Sequence, residues 1–156
     1  MNLNEAENLA ISLMGHHGLI EKGWRFEFDR AKRRLGVCKH RNKIIGLSKG
    51  ITALNEVARV RNTILHEIAH ALVGPKHGHD WVWKRMAISI GCDGKRCAST
   101  ESIKTLESKY IAICDNCGHK HKRHKITKRT KKSSCGKCSP TYDEKYKLTW
   151  VLNPKN

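Results

Sequence analysis

Five residues near the middle of the chain restrict its fold and chemistry more than any other feature. They read H-E-x-x-H, with His66, Glu67 and His70 as the motif residues. Residues i and i+4 of a helix lie one above the other, so both imidazoles can bind one metal ion if this segment is helical. The Glu67 carboxylate would then lie beside the metal, where it can accept a proton from an activated water molecule. The motif therefore predicts a helix that carries a hydrolytic metal site.

The surrounding sequence predicts the long amphipathic helix that such a site requires. Apolar residues recur at helical spacing from residue 57 to residue 72, so the apolar stripe continues through the motif. Asn55 is the predicted N-cap, with the helix beginning at Glu56, and Gly74 followed by Pro75 ends it.

Segments on both sides of this helix complete a predicted α+β fold with a zincin-like core. An N-terminal helix is expected within residues 4–20 and is ended by Gly18, and a helix after the motif is expected from residue 80 or 81 to residue 90. Residues 48–54 are interpreted as a connection. Three short strands are predicted to form a small antiparallel sheet, at residues 24–28, 35–39 and 43–47.

A third zinc ligand must come from beyond the motif helix. A catalytic zinc usually has three protein ligands and a fourth position for water. His77 and His79 are the nearest candidates, and their chemistry alone does not decide between them. His77 gives H-x-x-x-G-x-x-H, which is one residue longer than the metzincin pattern after the second histidine. A glutamate ligand is disfavoured because no glutamate lies between Glu67 and Glu101.

Four cysteines in the C-terminal third form a second metal-binding pattern. Two C-x-x-C pairs, Cys114 with Cys117 and Cys135 with Cys138, are separated by seventeen residues. This spacing fits a structural zinc site in which four thiolates close the coordination sphere. Strands are predicted on either side, at residues 110–113 and 147–152. The pattern therefore predicts a small C-terminal zinc-ribbon β module.

The charge of the chain predicts a polyanionic partner, either a nucleic acid or an anionic membrane. The sequence has 31 Lys and Arg residues against 14 Asp and Glu residues, a net charge of +17. Residues 120–132 contain eight of these cations and no acid, and few aromatic residues interleave with them. We expect contacts with a phosphate backbone and little sequence specificity, although such a run is also typical of a solvated loop. The predicted nucleic-acid-binding residues are Lys120, Lys122, Arg123, Lys125, Lys128, Arg129, Lys131 and Lys132.

Other sequence features concern location and the remaining cysteines. No apolar run approaches the roughly 20 residues that span a bilayer, and the polar N-terminus is unlike a signal peptide, so we expect a cytoplasmic protein without a membrane partner. Seven basic residues between Arg30 and Lys43 fit a solvated sheet face as well as a phosphate site. Cys38 is interpreted as a small buried hydrophobe, and Cys92 and Cys97 as reduced thiols without an assigned function.

The residues described so far resemble the SprT-like metallopeptidase family, which includes SprT and Spartan. The likeness lies in the run 64–71, in Gly78-His79-Asp80, and in Trp83-Lys84. It extends to Ile45-Gly46-Leu47-Ser48 and to the segment from Trp24 to Gly36. The opening from Tyr110 to Cys117 is similar to the zinc ribbon that such proteins often carry. The resemblance covers most of the chain.

The resemblance implies which histidine is the third ligand and what the substrate is. In the family this ligand begins an H-x-x-x-(Phe/Trp) motif, which both His77 and His79 satisfy. Aligning Trp83-Lys84 with the family's Trp-Lys selects His79, while His77-Gly78 also matches the family's His-Gly and leaves His77 as the alternative. The family further implies cleavage of proteins on DNA, including crosslinked proteins, and thus a role in DNA-protein crosslink repair.

These observations predict a zinc-dependent endopeptidase with a core at residues 1–105 and a basic zinc ribbon at residues 106–156. One zinc ion is catalytic and one is structural, and Glu67 transfers a proton to the leaving amine. The alternative is a non-catalytic nucleic-acid-binding adaptor with a vestigial or structural H-E-x-x-H site, which an intact Glu67 disfavours. The predicted ligands are His66, His70 and His79 for the first ion and Cys114, Cys117, Cys135 and Cys138 for the second.

Overall fold

The computed structural model describes residues 1–96 and 103–154 and divides the chain into two compact units. Unit 1 covers Met1–Leu106 and unit 2 covers Glu107–Asn156. Unit 1 combines helices with a three-stranded sheet, and unit 2 is built on a second three-stranded sheet. The predicted α+β class is therefore confirmed. No helix in the described ranges is both long enough and apolar enough to cross a membrane. Cys97 lies outside the described residues.

Unit 1 is organised around its longest helix, α3, which carries the H-E-x-x-H motif. The apolar face of this helix packs on the first helix, α1, through small and aliphatic side chains that are fully buried. A 3-10 turn, His40–Asn42, joins the second and third strands. The elements of unit 1 are α1 (Leu3–His16), β1 (Arg25–Asp29), β2 (Gly36–Lys39), β3 (Ile44–Ser48), α2 (Lys49–Leu54), α3 (Val57–Val73) and α4 (Trp81–Ser89).

The sheet of unit 1 is mixed, and the prediction of a purely antiparallel sheet was wrong. The strand order is β1-β3-β2, with β3 antiparallel to β2 and parallel to β1. All five residues of β3 are buried, as expected for the central strand. Apolar alternation identified the strands, but it contains no information on the direction in which two strands pair.

Two predictions around Asn55 were also wrong. Residues 48–54 are not a plain connection, because Lys49–Leu54 form helix α2, whose N-cap Ser48 accepts a hydrogen bond from the Ile51 N–H at 3.3 Å. Helix α3 begins after Glu56, and Asn55 ends α2 instead of capping α3. The Asn55 amide is buried and bonds to the backbone of Ile51 and Lys104, so a long-range contact overrides the local capping signal.

Unit 2 is a small antiparallel sheet around the cysteine pairs. The strand order is β5-β4-β6, and the buried core includes Ala112, Cys114, Cys135 and Leu148. The predicted strand at 147–152 is limited to its last two residues, and the basic run expected as a loop contains a strand and a helical turn. The elements are β4 (Tyr110–Ile113), β5 (Lys120–Arg123), α5 (Lys128–Lys131), a 3-10 turn (Glu144–Tyr146) and β6 (Val151–Leu152).

We predict that Asn55→Ala lowers the free energy of unfolding of unit 1 by about 2–4 kcal/mol. The substitution leaves the buried Ile51 carbonyl and the part-buried backbone N–H and carbonyl of Lys104 without their partner. Urea unfolding of the zinc-loaded chain, followed by circular dichroism, measures the change. Asn42→Ala is the matched control, because the exposed Asn42 side chain makes no hydrogen bond in the described part of the chain. Equal stability of the two variants would contradict the prediction.

Candidate metal centres and active site

Helix α3 holds His66 and His70 on the side of unit 1 that faces away from its core. One face of the helix is fixed by the burial of Val60, Ile64 and Ile68. The two histidines are four residues apart, so they occupy adjacent turns, and their ring centroids are 5.0 Å apart. The core packing of α3 thus sets the position of both imidazoles.

His79 completes a group of three histidines from the loop between α3 and α4. Its Nε2 atom lies 3.0 Å from His66 Nε2 and 3.1 Å from His70 Nε2. Tetrahedral ligands at zinc–nitrogen distances of about 2.05 Å would be about 3.3 Å apart. The three nitrogen atoms are therefore spaced for one zinc ion, and the same three residues form a group that could hold a metal.

His77, the alternative third ligand, points to a different partner. Its Nδ1 atom lies 2.8 Å from Asp80 Oδ2, while Asp80 Oδ1 accepts a hydrogen bond from the Trp83 N–H at 3.0 Å. His77 therefore supports the N-cap of α4. The sequence offers His77 and His79 as candidates for the third ligand. In the structure, His79 is the one that lies beside His66 and His70.

Burial keeps the histidines of α3 unprotonated at neutral pH. Desolvation, followed by the nearby histidines, lowers the pKa of His66 and of His70 to about 4. Both rings are therefore neutral at any pH well above 4, and a neutral imidazole is the form that binds a metal ion.

Trp83 is a buried side chain that packs against all three histidine rings. It stacks on His70 with an interplanar angle of 26° and contacts His66 and His79 edge to face, at centroid distances of 4.6 Å. This packing restricts the orientation of the rings. In the sequence, Trp83 was only part of the Trp83-Lys84 match to the family, and its role as a support was not predicted.

Glu67 is buried beside the histidines and is held by strand β2. The backbone N–H of Cys38 donates a hydrogen bond to the carboxylate, and the Arg34 guanidinium lies near enough to attract it. Burial outweighs both effects and raises the pKa of Glu67 to about 7. A carboxylate with such a pKa can both accept and release a proton near neutral pH.

Gly36 allows β2 to approach the Glu67 side chain closely. A Cβ atom at position 36 would lie 2.6 Å from Thr63 Cγ2 and 2.7 Å from Glu67 Oε1, so any larger residue would displace one of them. In the sequence, Gly36 was only part of the family resemblance, and its contact with Glu67 was not predicted. No short-range pattern indicates this contact, because β2 and α3 are distant in sequence.

The histidines and Glu67 line one open cavity of about 320 Å³. Its opposite wall is formed by β2 and the turn after it, with Gly36, Val37, Cys38 and His40. The Cys38 thiol is half-buried, 3.6 Å from His40 Nε2, and burial followed by the nearby Glu67 raises the pKa of this thiol to about 12. Cys38 therefore remains protonated and neutral at the cavity wall.

The four cysteines of unit 2 have the geometry of a structural zinc site. The Sγ atoms of Cys114 and Cys138 are 3.7 Å apart, as are those of Cys117 and Cys135. Tetrahedral thiolates at about 2.3 Å from zinc would be about 3.8 Å apart. The four side chains therefore form a second group that could bind zinc, and they leave no position for a substrate.

Neighbouring groups contact two of these sulfur atoms and favour the thiolate form of Cys135. His121 Nε2 lies 3.3 Å from Cys135 Sγ, and Asn116 Nδ2 donates to Cys138 Sγ at 3.4 Å. Desolvation raises the pKa of Cys135, but the hydrogen bond with His121 and those with nearby backbone N–H groups lower it to about 5. His121 is a residue of the metal centre that the sequence analysis did not identify.

The eight basic residues predicted to bind nucleic acid are held on regular structure in unit 2. Three lie on β5, three lie on α5, and Lys125 and Lys132 flank α5; all eight are exposed. The indole N–H of Trp150 donates to the Thr130 carbonyl at 3.1 Å and so ties α5 to the core, while Arg123 lies over the Trp150 ring. The structure therefore presents these cations on an anchored surface.

Comparison with known proteins assigns the chain to a family. Two histidines and a glutamate on one helix, joined by a third histidine, form the kind of site that H-E-x-x-H metallopeptidases use. The model of the SprT-like family matches residues 11–104, which is more than half of the chain. The chain belongs to the SprT-like family, and unit 1 is a metalloprotease-type domain. No curated protein sequence matches the chain.

We predict that His79→Ala reduces the zinc content from two ions per chain to one. The change removes one of three nitrogen ligands, whereas His77→Ala removes only a partner of Asp80 and should retain both ions. Plasma emission spectrometry of the dialysed proteins measures the metal content. If His77→Ala loses one zinc ion and His79→Ala retains both, the third ligand is His77 and not His79.

Proposed function

We propose that this protein is a zinc-dependent endopeptidase that cleaves proteins associated with DNA, including proteins crosslinked to it. The observation that carries this proposal is the convergence of three histidine Nε2 atoms beside the buried carboxylate of Glu67. A purely structural metal site has no need of a buried carboxylate in this position. We therefore favour catalysis over a non-catalytic adaptor role.

In this proposal Glu67 is the general base and then the general acid. A zinc ion held by His66, His70 and His79 would supply Lewis acidity, activating a water molecule and polarising the scissile carbonyl. Glu67 accepts the proton of the attacking water and passes it to the leaving amine. The Cys38 N–H and the lack of a side chain at Gly36 keep the carboxylate in position between these steps.

The basic surface of unit 2 is proposed to bring the enzyme to DNA. Eight exposed cations on or beside β5 and α5 can replace the counterions of a phosphate backbone. The Trp150 ring is engaged within unit 2, by Arg123 and by Thr130, so this surface favours phosphate contacts over base stacking. The DNA-associated substrate class is supported by this surface and by the family resemblance.

We predict that Glu67→Gln reduces proteolysis of a DNA-bound protein by at least about 100-fold, because the amide cannot accept the proton. The assay uses the zinc-loaded full chain with single-stranded DNA and compares rates on gels. Zinc content should stay at two ions per chain, since Glu67 is not among the proposed ligands. Glu7→Gln, on the exposed side of α1, is the matched control and should cleave like the wild type. Equal rates for wild type and Glu67→Gln would refute the peptidase proposal.

We predict that replacing Lys128, Arg129, Lys131 and Lys132 with Ser flattens the salt dependence of DNA binding. Each lost phosphate contact reduces the slope of log affinity against log salt by about 0.9 for duplex DNA, so the loss of four contacts should decrease it by about 3.6. Fluorescence anisotropy at several salt concentrations measures the slope. A control with the same number of lost charges replaces four exposed residues of unit 1, Lys49, Arg61, Lys76 and Lys84. An unchanged slope in the first variant would place DNA binding elsewhere.

A further inference from the structure

Unit 1 has a second cavity beside the candidate active site, and cations dominate its lining. Its volume is about 260 Å³, and His66, Glu67 and Gly36 belong to its wall. The sequence pattern does not indicate this cavity, because its five cations come from three separate segments. They are Arg33, Arg34, Arg59, Lys95 and Arg96.

Most of this positive charge is not neutralised within the described part of the chain. Arg34 pairs with Asp29, but Arg33, Arg59 and Arg96 have no salt bridge in residues 1–96 and 103–154. Apart from Glu67, the acid in the lining is Asp93, whose carboxylate accepts the Lys95 backbone N–H at 3.0 Å. The cavity therefore has guanidinium groups available for an anion, and guanidinium binds carboxylates with two parallel hydrogen bonds.

The position of two arginines connects this cavity with the reaction site. Arg59 precedes His66 by seven residues on α3, so the two side chains lie on the same face of the helix. Arg96 lines both this cavity and the 320 Å³ cavity that contains the three histidines. An anion held by these arginines would thus lie in a cavity that shares His66 and Glu67 with the reaction site.

An acidic side chain of the substrate fits this location better than a nucleic-acid strand. The cavity shares His66 and Glu67 with the proposed active site, so a DNA backbone entering it would occupy the place of the peptide. A glutamate or aspartate side chain enters from the peptide itself. A neighbouring cavity of about 410 Å³ shares Arg59, Asn62 and Asp93, which gives the peptide a path along α3.

We propose that this basic cavity is a specificity subsite that binds an acidic side chain close to the scissile bond. The proposal rests on the proposed peptidase function and adds a substrate preference to it. Arg59 and Arg96 hold the carboxylate of the substrate side chain. Proteins with Asp or Glu near the cleavage point are then the preferred substrates.

Paired peptides that differ only by Glu or Gln at one position test the subsite. The zinc-loaded full chain is assayed with single-stranded DNA, and kcat/KM is measured for Glu and Gln at each position flanking the cleaved bond. At one position, the kcat/KM of the wild type should be on the order of tenfold higher for the Glu peptide than for the Gln peptide. This is the effect expected of one hydrogen bond to a charged group. The double variant R59Q/R96Q should reduce this ratio to about one. Arg61→Gln, also on α3 but outside both cavities, should retain it.

Charge reversal gives an independent readout that does not depend on the double variant folding well. Arg96→Glu should shift the preference at the same position from Glu toward Lys. If cleavage depends on Glu67 but the kcat/KM values for Glu and Gln peptides are equal at every position, the subsite proposal is wrong. The peptidase proposal is then unaffected. Absence of Glu67-dependent cleavage would overturn both proposals. Weaker binding of single-stranded DNA by R59Q/R96Q, with an unchanged Glu-to-Gln ratio, would assign the cavity to nucleic acid and overturn the subsite.

Discussion

The burial of one face of helix α3 is the interaction on which the rest of unit 1 depends. Val60, Ile64 and Ile68 are fully buried against α1 and the sheet, which fixes the rotation of the helix about its axis. Once that rotation is fixed, the 3.6-residue period directs His66 and His70 together toward the cavity. Core packing and metal-site geometry are thus two consequences of one sequence pattern.

The close approach of β2 to α3 gives Glu67 its chemical character. Gly36 leaves no side chain between strand and helix, so the carboxylate is enclosed and loses most of its contact with water. Enclosure raises the pKa of Glu67 to about 7, although the Cys38 N–H and Arg34 both favour the charged form. The same contact that holds the carboxylate therefore also tunes it for proton transfer.

The sequence predicted the structure best where the geometry depends on residues that are close together in the chain. The motif helix and the C-x-x-C pairs follow from residues three or four positions apart, and the structure contains both groups. The direction of β1, the existence of α2 and the role of Asn55 depend on contacts between distant segments, which local patterns do not encode. His77 and His79 fit the same pattern, and they differ because the Asp80 carboxylate pairs with His77.

The two groups of cations differ in their surroundings, and this difference argues for different anions. Those on β5 and α5 are exposed on a solvated surface, where attraction to a long polyanion adds up over many weak contacts. Those beside Glu67 line a small cavity, in which Arg59 is half-buried and the other four are exposed. Partial desolvation of Arg59 strengthens a single ion pair, and the size of the cavity suits one side-chain carboxylate. A high net charge can therefore serve both recruitment to DNA and selection of the peptide bond.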